Sequence, residues 1–360
     1  MTPKKLLFIY YITLGFLLLY SFALVDPNIT LINLPIWTAF RNIMVQLGYY
    51  HRQISTVLYI SIISLLSFLH ILLVRSKSIN PTKLAIATAL LLLFSYPFLS
   101  HDLFNYMFDA RILTFHHANP YLHAALDFPS DQWIRFMHWT HRPYPYGPTF
   151  LPLTLIPSFL SGGKFILAYL FFKAMYGLLY VWTVKMLTKM NKTYGIFFAT
   201  QPLIIIEGLV NNHNDLIAVS FAIMGIYYAS SKILSALAFV MSAGIKYITI
   251  PAVLLLNTAK HKKKTVQLSF ALLVFIILYI SYTGEMQQWY FLNLFLFIPI
   301  FFTLFKKSYL FFFSILVSYF PFILYGTWDS SALMLKNAII VIGFTATCIL
   351  FLLHKNDIPS

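Results

Sequence analysis

Long apolar runs separated by short polar intervals set the pattern of this chain. They fall near residues 6–25, 54–74, 83–99, 165–184, 194–210, 215–231, 266–283, 289–305, 309–325 and 334–353. Runs of about 17 to 25 apolar residues cross a bilayer as helices. The pattern predicts an all-α, polytopic, multi-pass integral membrane protein. Two stretches are ambiguous: residues 148–161 are short and carry prolines, and residues 233–257 are too long for one upright helix and too short for two. With them the expectation is a bundle of about 10–13 transmembrane helices. The first run follows Lys4 and Lys5 as a signal sequence would, but Asp26-Pro27 follows it with no small-residue cleavage site. It is expected to remain as the first helix.

Charge orients the bundle. Only 10% of residues are charged and 60% are apolar, against roughly 25% charged in soluble domains. The net charge of +15 is spread over short loops, which is the positive-inside pattern and not a nucleic-acid footprint. With the amino terminus cytoplasmic, Arg75, Lys77, Lys83, Lys185, Lys189 and Lys192 fall inside. So do Lys232, the Lys260–Lys264 cluster, Lys306, Lys307 and Lys355. This threading needs residues 148–161 not to cross fully and residues 233–257 to turn back. Asp26, Asp102, Asp109, Asp127, Asp131, Asp215, Glu285 and Asp329 then share the outer face. Acids contribute little to orientation, so their gathering points to a functional surface. Between the first two runs, residues 27–53 hold Trp37, Arg41, Tyr49, Tyr50 and Arg52. They suit either a helix in the membrane interface or a plain connection. The single cysteine, Cys348, excludes an intramolecular disulfide and a cysteine metal cluster.

Residues 100–148 form the longest polar interval, and candidate chemistry concentrates there. A helix over residues 101–116, ended by Asn119-Pro120, would put Asp102, Asn105, Tyr106 and Asp109 on one face and turn Arg111 away. Paired carboxylates above a bilayer can act as a base or hold a cation; an acid at a helix start also simply favours the dipole. His101, His116, His117, His123, His138 and His141 raise a zinc site, but no HExxH or His-x3-His spacing is present. Arg142-Pro143-Tyr144-Pro145-Tyr146-Gly147-Pro148 is too rich in proline for a helix and reads as a stiff lid. Its tyrosines suit sugar rings, headgroups or interfacial anchoring.

Two later sites fall on the same side. Glu207 lies about one turn inside an apolar run, where an acid is costly unless it is paired or lines a cavity. The polar turn after it ends in Asn214-Asp215, which can cap the next helix. Gly244-Ile245-Lys246-Tyr247 breaks the run 233–257, and interrupted helices occur where backbone lines a cavity. Lys246 at that break suits a lipid-linked phosphate or a snorkelling role.

In this order the motifs resemble a family. An acid after an early helix, an aromatic and an acid-arginine pair come first. Asn119-Pro120-Tyr121, Tyr144-Pro145-Tyr146-Gly147-Pro148, the Asn214-Asp215 turn and the Gly-x-Lys-Tyr break follow. The set, over roughly residues 95–252, resembles the GT-C glycosyltransferases that use polyprenol-phosphate sugars. It is most similar to the polyprenol-phosphate-mannose-dependent mannosyltransferases, including the first mannosyltransferase of glycosylphosphatidylinositol synthesis.

The resemblance implies a GT-C-like bundle forming one catalytic domain over residues 1–360, with residues 100–148 as a large first extracytoplasmic loop containing interfacial helices. It implies that Asp102 is the catalytic base. Asp109, Asn105, Tyr144, Tyr146, Glu207, Asn214 and Asp215 are expected around the acceptor and donor sugars. Lys246, His213, Arg142 and Arg111 are expected around the donor phosphate. Phe104 stands where a strict Asp-x-Asp would place a second acid, which weakens a metal-binding role. The implied reaction is an inverting transfer of a hexose, mannose on the resemblance, from a polyprenol-phosphate sugar to a lipid-linked or glycan acceptor. It needs no cofactor and no metal, because cations can hold the phosphate leaving group. Membrane lipids are the other partners, and nucleic acid is not one. A prokaryotic plasma membrane, with the site extracytoplasmic, is the expected location. A secondary transporter or lipid flippase would share broken helices and intramembrane acids but should show internal repeats and midplane sites. A polysaccharide polymerase or ligase should show a loop dominated by arginine. Neither pattern is seen.

Overall fold

The computed structural model describes residues 2–76, 78–256 and 263–353. Lys77, Lys260, Lys262 and Lys355, part of the orientation argument, lie outside the described residues. Among the described residues every element is an α, 3-10 or π helix and no strand occurs. Six helices are long and apolar enough to cross a membrane: Pro3–Leu24, Arg52–Val74, Phe165–Met190, Lys263–Thr283, Gln288–Lys307 and Ser330–Leu353. Lys192–Thr200 and Ile204–Val210 together make a seventh candidate, bent by 67°. The chain is a polytopic membrane protein. The larger number expected from the apolar runs is reached only by adding shorter helices, among them Pro81–Leu92, Phe150–Leu160, Asn214–Tyr227 and Lys232–Ile245.

Prolines account for most of this shortening. The run over residues 83–99 is helical only to Leu92, and the chain stays non-helical up to Pro97, which itself bars the α region at Tyr96. The run over residues 194–210 bends at Gln201-Pro202 and continues as a π segment. The run over residues 289–305 starts as a 3-10 helix, Gln288–Phe297, ahead of Pro299. The ambiguous residues 148–161 become Phe150–Leu160 with Pro157 inside. Eleven residues rise about 16 Å as a helix, short of the roughly 30 Å hydrocarbon core. The second ambiguous stretch breaks at Lys246, which is extended (φ −140°, ψ 112°) between Lys232–Ile245 and a 3-10 segment, Tyr247–Leu255. That segment packs on the helix before it and on Lys263–Thr283.

Between the first two spans the chain forms a helix, Pro35–Val45, and not a plain connection. Trp37 and Phe40 pack edge-on against Phe22. Leu34, Ile36 and Ile43 stay exposed, which suits a helix lying in the interface.

Candidate active site

The site is built on the short helix Asp102–Thr114, the loop helix. Its face carries Asp102, Asn105, Tyr106 and Asp109 as the periodicity predicts. Tyr106 O–H lies 3.5 Å from Asp102 Oδ2 and is also the acceptor for Asn214 N–H at 3.4 Å. Asn105 Oδ1 accepts the backbone N–H groups of His138 and Trp139 at 3.2 and 3.4 Å, which ties the returning loop to the helix.

The loop helix stops at Thr114, earlier than the proline signal at Pro120 places it. A buried cluster on its other face ends it. Arg111 Nε donates to Asp131 Oδ2 at 2.6 Å, and His116 Nε2 lies 2.8 Å from the same oxygen. The Arg111 guanidinium is sandwiched between Phe115 and Trp133, 3.7 and 4.2 Å from their ring centres. His117 then takes a left-handed conformation (φ 54°) to turn the chain. Arg111 is nine residues on from Asp102, half a turn out of phase, and is not among the residues gathered around it. Burial pushes the Asp131 carboxyl up, but the Trp133 N–H, Arg111 and His116 outweigh it and hold it below the ordinary value. The other loop histidines also go separate ways: His101 stacks on His138, and His123 pairs with Asp127. Among the described residues no group of three or more His, Cys, Asp or Glu side chains is placed to hold a metal ion.

The lid, Arg142 to Pro148, is non-helical, as its prolines require. Tyr144 N–H donates to Pro120 O at 2.8 Å, and Tyr146 packs edge-on against both Tyr144 and Tyr106. Its far end meets the broken helix through two glycines. A Cβ on Gly147 would sit 2.0 Å from Gly244 O, and one on Gly244 would sit 2.7 Å from the Thr149 side chain. Only glycine lets the two backbones approach this closely. Thr149 fastens the contact, donating through N–H to Gly244 O at 3.1 Å and through its hydroxyl to Met241 O at 2.9 Å.

Just past this contact, Lys246 Nζ donates to Asp215 Oδ2 at 2.9 Å and Asn214 Oδ1 at 3.1 Å. Asp215 Oδ1 accepts from Asn293 Nδ2 at 2.6 Å. Asp215 therefore spends both oxygens on Lys246 and Asn293 and does not cap its helix, which starts at Asn214 with no side-chain cap. The Lys246 side chain is 20% exposed and that of Asp215 is fully buried.

Behind Asp102 lies a second carboxylate. The π turns of Ile204–Val210 bring Glu207 to face the polar turn, where Asn212 adopts φ 58°. His213 stands between the two acids: Nδ1 is 3.3 Å from Asp102 Oδ2 and Nε2 is 3.3 Å from Glu207 Oε2. Asn211 Nδ2 donates to Glu207 Oε2 at 3.1 Å. Trp289 lies flat on the His213 ring at 4.1 Å, 15° from parallel. The Asp102 side chain is 18% exposed, whereas those of His213 and Glu207 are completely covered. Glu207 and His213 thus stand behind Asp102 and not on the open side of the site.

The charges act on one another. Burial pushes the Asp102 carboxyl up, but His213, Lys246 and Arg142 outweigh it and keep it below the ordinary value. Burial also lowers His213, yet its pairing with Asp102 and Glu207 prevails and pushes it up to about 9. Asp109 has no such support. Burial, with Asp102 adding repulsion and Arg142 only partly offsetting, pushes it up to about 8.

Three contributors lie outside the expected site residues, and one of them, Lys173, carries the same signal as Glu207, a charge inside an apolar run. Lys173 lies in the middle of an apolar run but is 3% exposed. Its Nζ reaches Ser95 Oγ, Leu209 O, Val210 O and Asn212 Oδ1 at 2.8–3.1 Å. It therefore clamps the carboxyl end of the π segment that carries Glu207. Tyr176, one turn later on the same helix, is buried near Asp102, Asp215 and Tyr144. Trp289 is the third. Tyr176 and Trp289 look like ordinary packing residues in their apolar runs, whereas Lys173 stands out there by its charge. The buried Tyr144 and Tyr176 hydroxyls and the Asn105 and Asn214 amide nitrogens have no hydrogen-bond partner among the described residues. Such groups are costly unless a ligand satisfies them, and sugar hydroxyls both donate and accept.

An ionised carboxylate, two nearby cations and idle hydroxyl-binding groups suit sugar transfer. Residues 25–262, about two thirds of the chain, match the model of the MptA_B family, described as alpha-(1->6)-mannopyranosyltransferase, N-terminal domain. The chain belongs to this mannosyltransferase family, and it is a membrane glycosyltransferase that takes a sugar donor and a glycan acceptor. The resemblance seen over residues 95–252 lies within the match. No curated protein and no solved structure matches the chain.

Proposed function

We propose that the chain transfers mannose from a polyprenol-phosphate mannose to a lipid-linked or glycan acceptor, with inversion, at the extracytoplasmic face of a prokaryotic plasma membrane. The observation that carries this reading is Asp102, partly exposed and held below its ordinary carboxyl value by the charges of His213, Lys246 and Arg142. In a single displacement the acceptor hydroxyl oxygen attacks the anomeric carbon and its proton passes to Asp102. The bond from the anomeric carbon to the phosphate oxygen breaks, and polyprenol phosphate leaves with the electron pair. Lys246 and Arg142 stabilise that anion where its charge develops. One attack inverts the anomeric centre. Asn105, Tyr144, Tyr146 and Asn214 surround the sugars, and protonated Asp109 donates to one of their oxygens. Asp215 fixes Lys246. Arg111, Glu207 and His213 support the site from outside the substrate cavity.

Residues 1–360 act as one catalytic domain in this reading. Trp289 and Asn293, both beyond the family match, support it, because they complete the contacts of His213 and Asp215.

The test is release of free polyprenol phosphate from radiolabelled polyprenol-phosphate mannose by purified protein in lipid. Asp102→Asn should lower kcat by about 10²–10⁴-fold, the range for a lost general base, and EDTA should leave the wild type unchanged. Full activity in a folded Asp102→Asn protein removes Asp102 as the base. No release with any polyprenol-phosphate sugar or acceptor returns the protein to the transporter or flippase class.

A further inference from the structure

We infer that His213 and Glu207 form a positioning pair for Asp102, in which His213 works as an imidazolium held between two carboxylates. This rests on the proposed role of Asp102 and adds a residue, Glu207, that never touches substrate.

The argument is geometric. Each ring nitrogen of His213 lies 3.3 Å from a carboxylate oxygen, Asp102 on one side and Glu207 on the other, at ion-pair distance and short of aligned hydrogen bonds. A neutral imidazole has one N–H and one lone pair. In that form it would turn its lone pair on one of the two anions. Only the imidazolium serves both. The ring cannot rotate away, because Trp289 lies flat on it at 4.1 Å and its side chain is fully covered. Glu207 is fixed in turn by Asn211 at 3.1 Å, and its turn is clamped by Lys173.

Other titratable and charged groups surround the pair. From the loop helix come Asp102 and Tyr106; from the lid, Arg142; from the broken helix, Lys246. Asp215 follows in the chain and is paired with Lys246. Tyr59, from the helix Arg52–Val74, and Tyr319, from the turn before Phe320–Tyr325, lie near Glu207, and Tyr290 adjoins Trp289. Of these, Asp102 and Glu207 alone bring a carboxylate to the ring itself.

The chemistry follows. The imidazolium pairs with Asp102 Oδ2 and leaves Oδ1 to take the acceptor's proton. Its charge keeps Asp102 ionised and ready. When His213 loses its proton, its pairing with Asp102 or with Glu207 is lost, and the base loses its aim.

Two measurements test this. The first is ¹⁵N NMR of histidine-labelled protein in detergent, titrated from pH 5 to pH 10, with His213 assigned by its loss in His213→Asn. Both ring nitrogens should be protonated at pH 7, with deprotonation near pH 9. A neutral ring at pH 7 overturns the inference, and this readout needs no substrate, so it stands apart from the donor's identity. The second is the pH profile of kcat. The wild type should lose activity on the alkaline side with a half-point near 9. Glu207→Gln should bring that half-point down by at least one pH unit, lower kcat about tenfold at pH 8, and change the KM for donor less than threefold. An unmoved half-point, with only a uniform loss of activity, makes Glu207 a packing residue and overturns the role given to it.

Discussion

Asp109 shows how much one unpaired acid decides. It is buried, with the Arg142 charge only partly offsetting, has no salt-bridge partner among the described residues, and its carboxyl is pushed up to about 8. In the unfolded chain it would ionise near 4. Below that pH both states hold the proton. Between about 4 and 8 the unfolded chain releases it and the fold keeps it, so stability falls as pH rises through this window and levels off above it. Asp109→Asn, which mimics the protonated acid, should therefore flatten the pH dependence. In thermal melts in detergent its Tm should gain on the wild type from pH 5 to pH 8; a gap that is constant or shrinks contradicts this. The face shared by Asp102, Asn105, Tyr106 and Asp109 was legible because helical periodicity needs only local sequence. Tyr176 and Trp289 are not legible, and Lys173 shows only as a charge in an apolar run, because their roles depend on partners 32 to 78 residues away that no local pattern reveals. His213 and Glu207 stand out by residue type and position, but no local pattern shows that one ring joins Glu207 to Asp102.

At the scale of elements, prolines and glycines decide where the apolar runs stop being spans. Hydropathy located the runs, and the break at Lys246 was visible as a glycine next to a lysine. The shortening of residues 83–99, the bend at Gln201-Pro202 and the 3-10 start at Gln288 do not show in hydropathy, which averages over a proline that backbone geometry cannot ignore. The early end of the loop helix at Thr114 was hidden for another reason: its terminator is Asp131, seventeen residues downstream. The contact of Gly147 with Gly244 is the element-level joint of the site. Gly147→Ala must push the lid off the broken helix, because its Cβ would lie 2.0 Å from a carbonyl oxygen. A displacement of about 1 Å near the reacting groups can cost 10²-fold in rate, and mannosyl transfer by this variant should fall by about that much. Gly15→Ala, whose Cβ meets nothing within 4 Å, should transfer at the wild-type rate. Equal activities in the two variants would show that the joint is not needed.

Over the whole molecule, the site draws on both ends of the chain. The family match stops at residue 262, yet Trp289 covers His213 and Asn293 holds Asp215. A fragment of residues 1–262 should be inactive by itself. Co-expression with residues 263–360 should restore transfer, which a radiolabelled-donor assay on membranes from both strains would reveal; activity in the first fragment alone would make the second part dispensable.

The Lys173 clamp also bears on how the protein is made. Of its four acceptors, three lie on Leu209, Val210 and Asn212, which leave the ribosome after the helix Phe165–Met190 is complete. A lone lysine at the centre of an inserting helix costs about 2.5–3.5 kcal/mol. The smallest unit that enters the bilayer with this charge satisfied is therefore the hairpin running from Phe165 to Asn212, not the single helix. Translation order and translocon dwell time thus become part of assembling the site, because the residue that steadies Glu207 waits in the membrane for the segment it will hold.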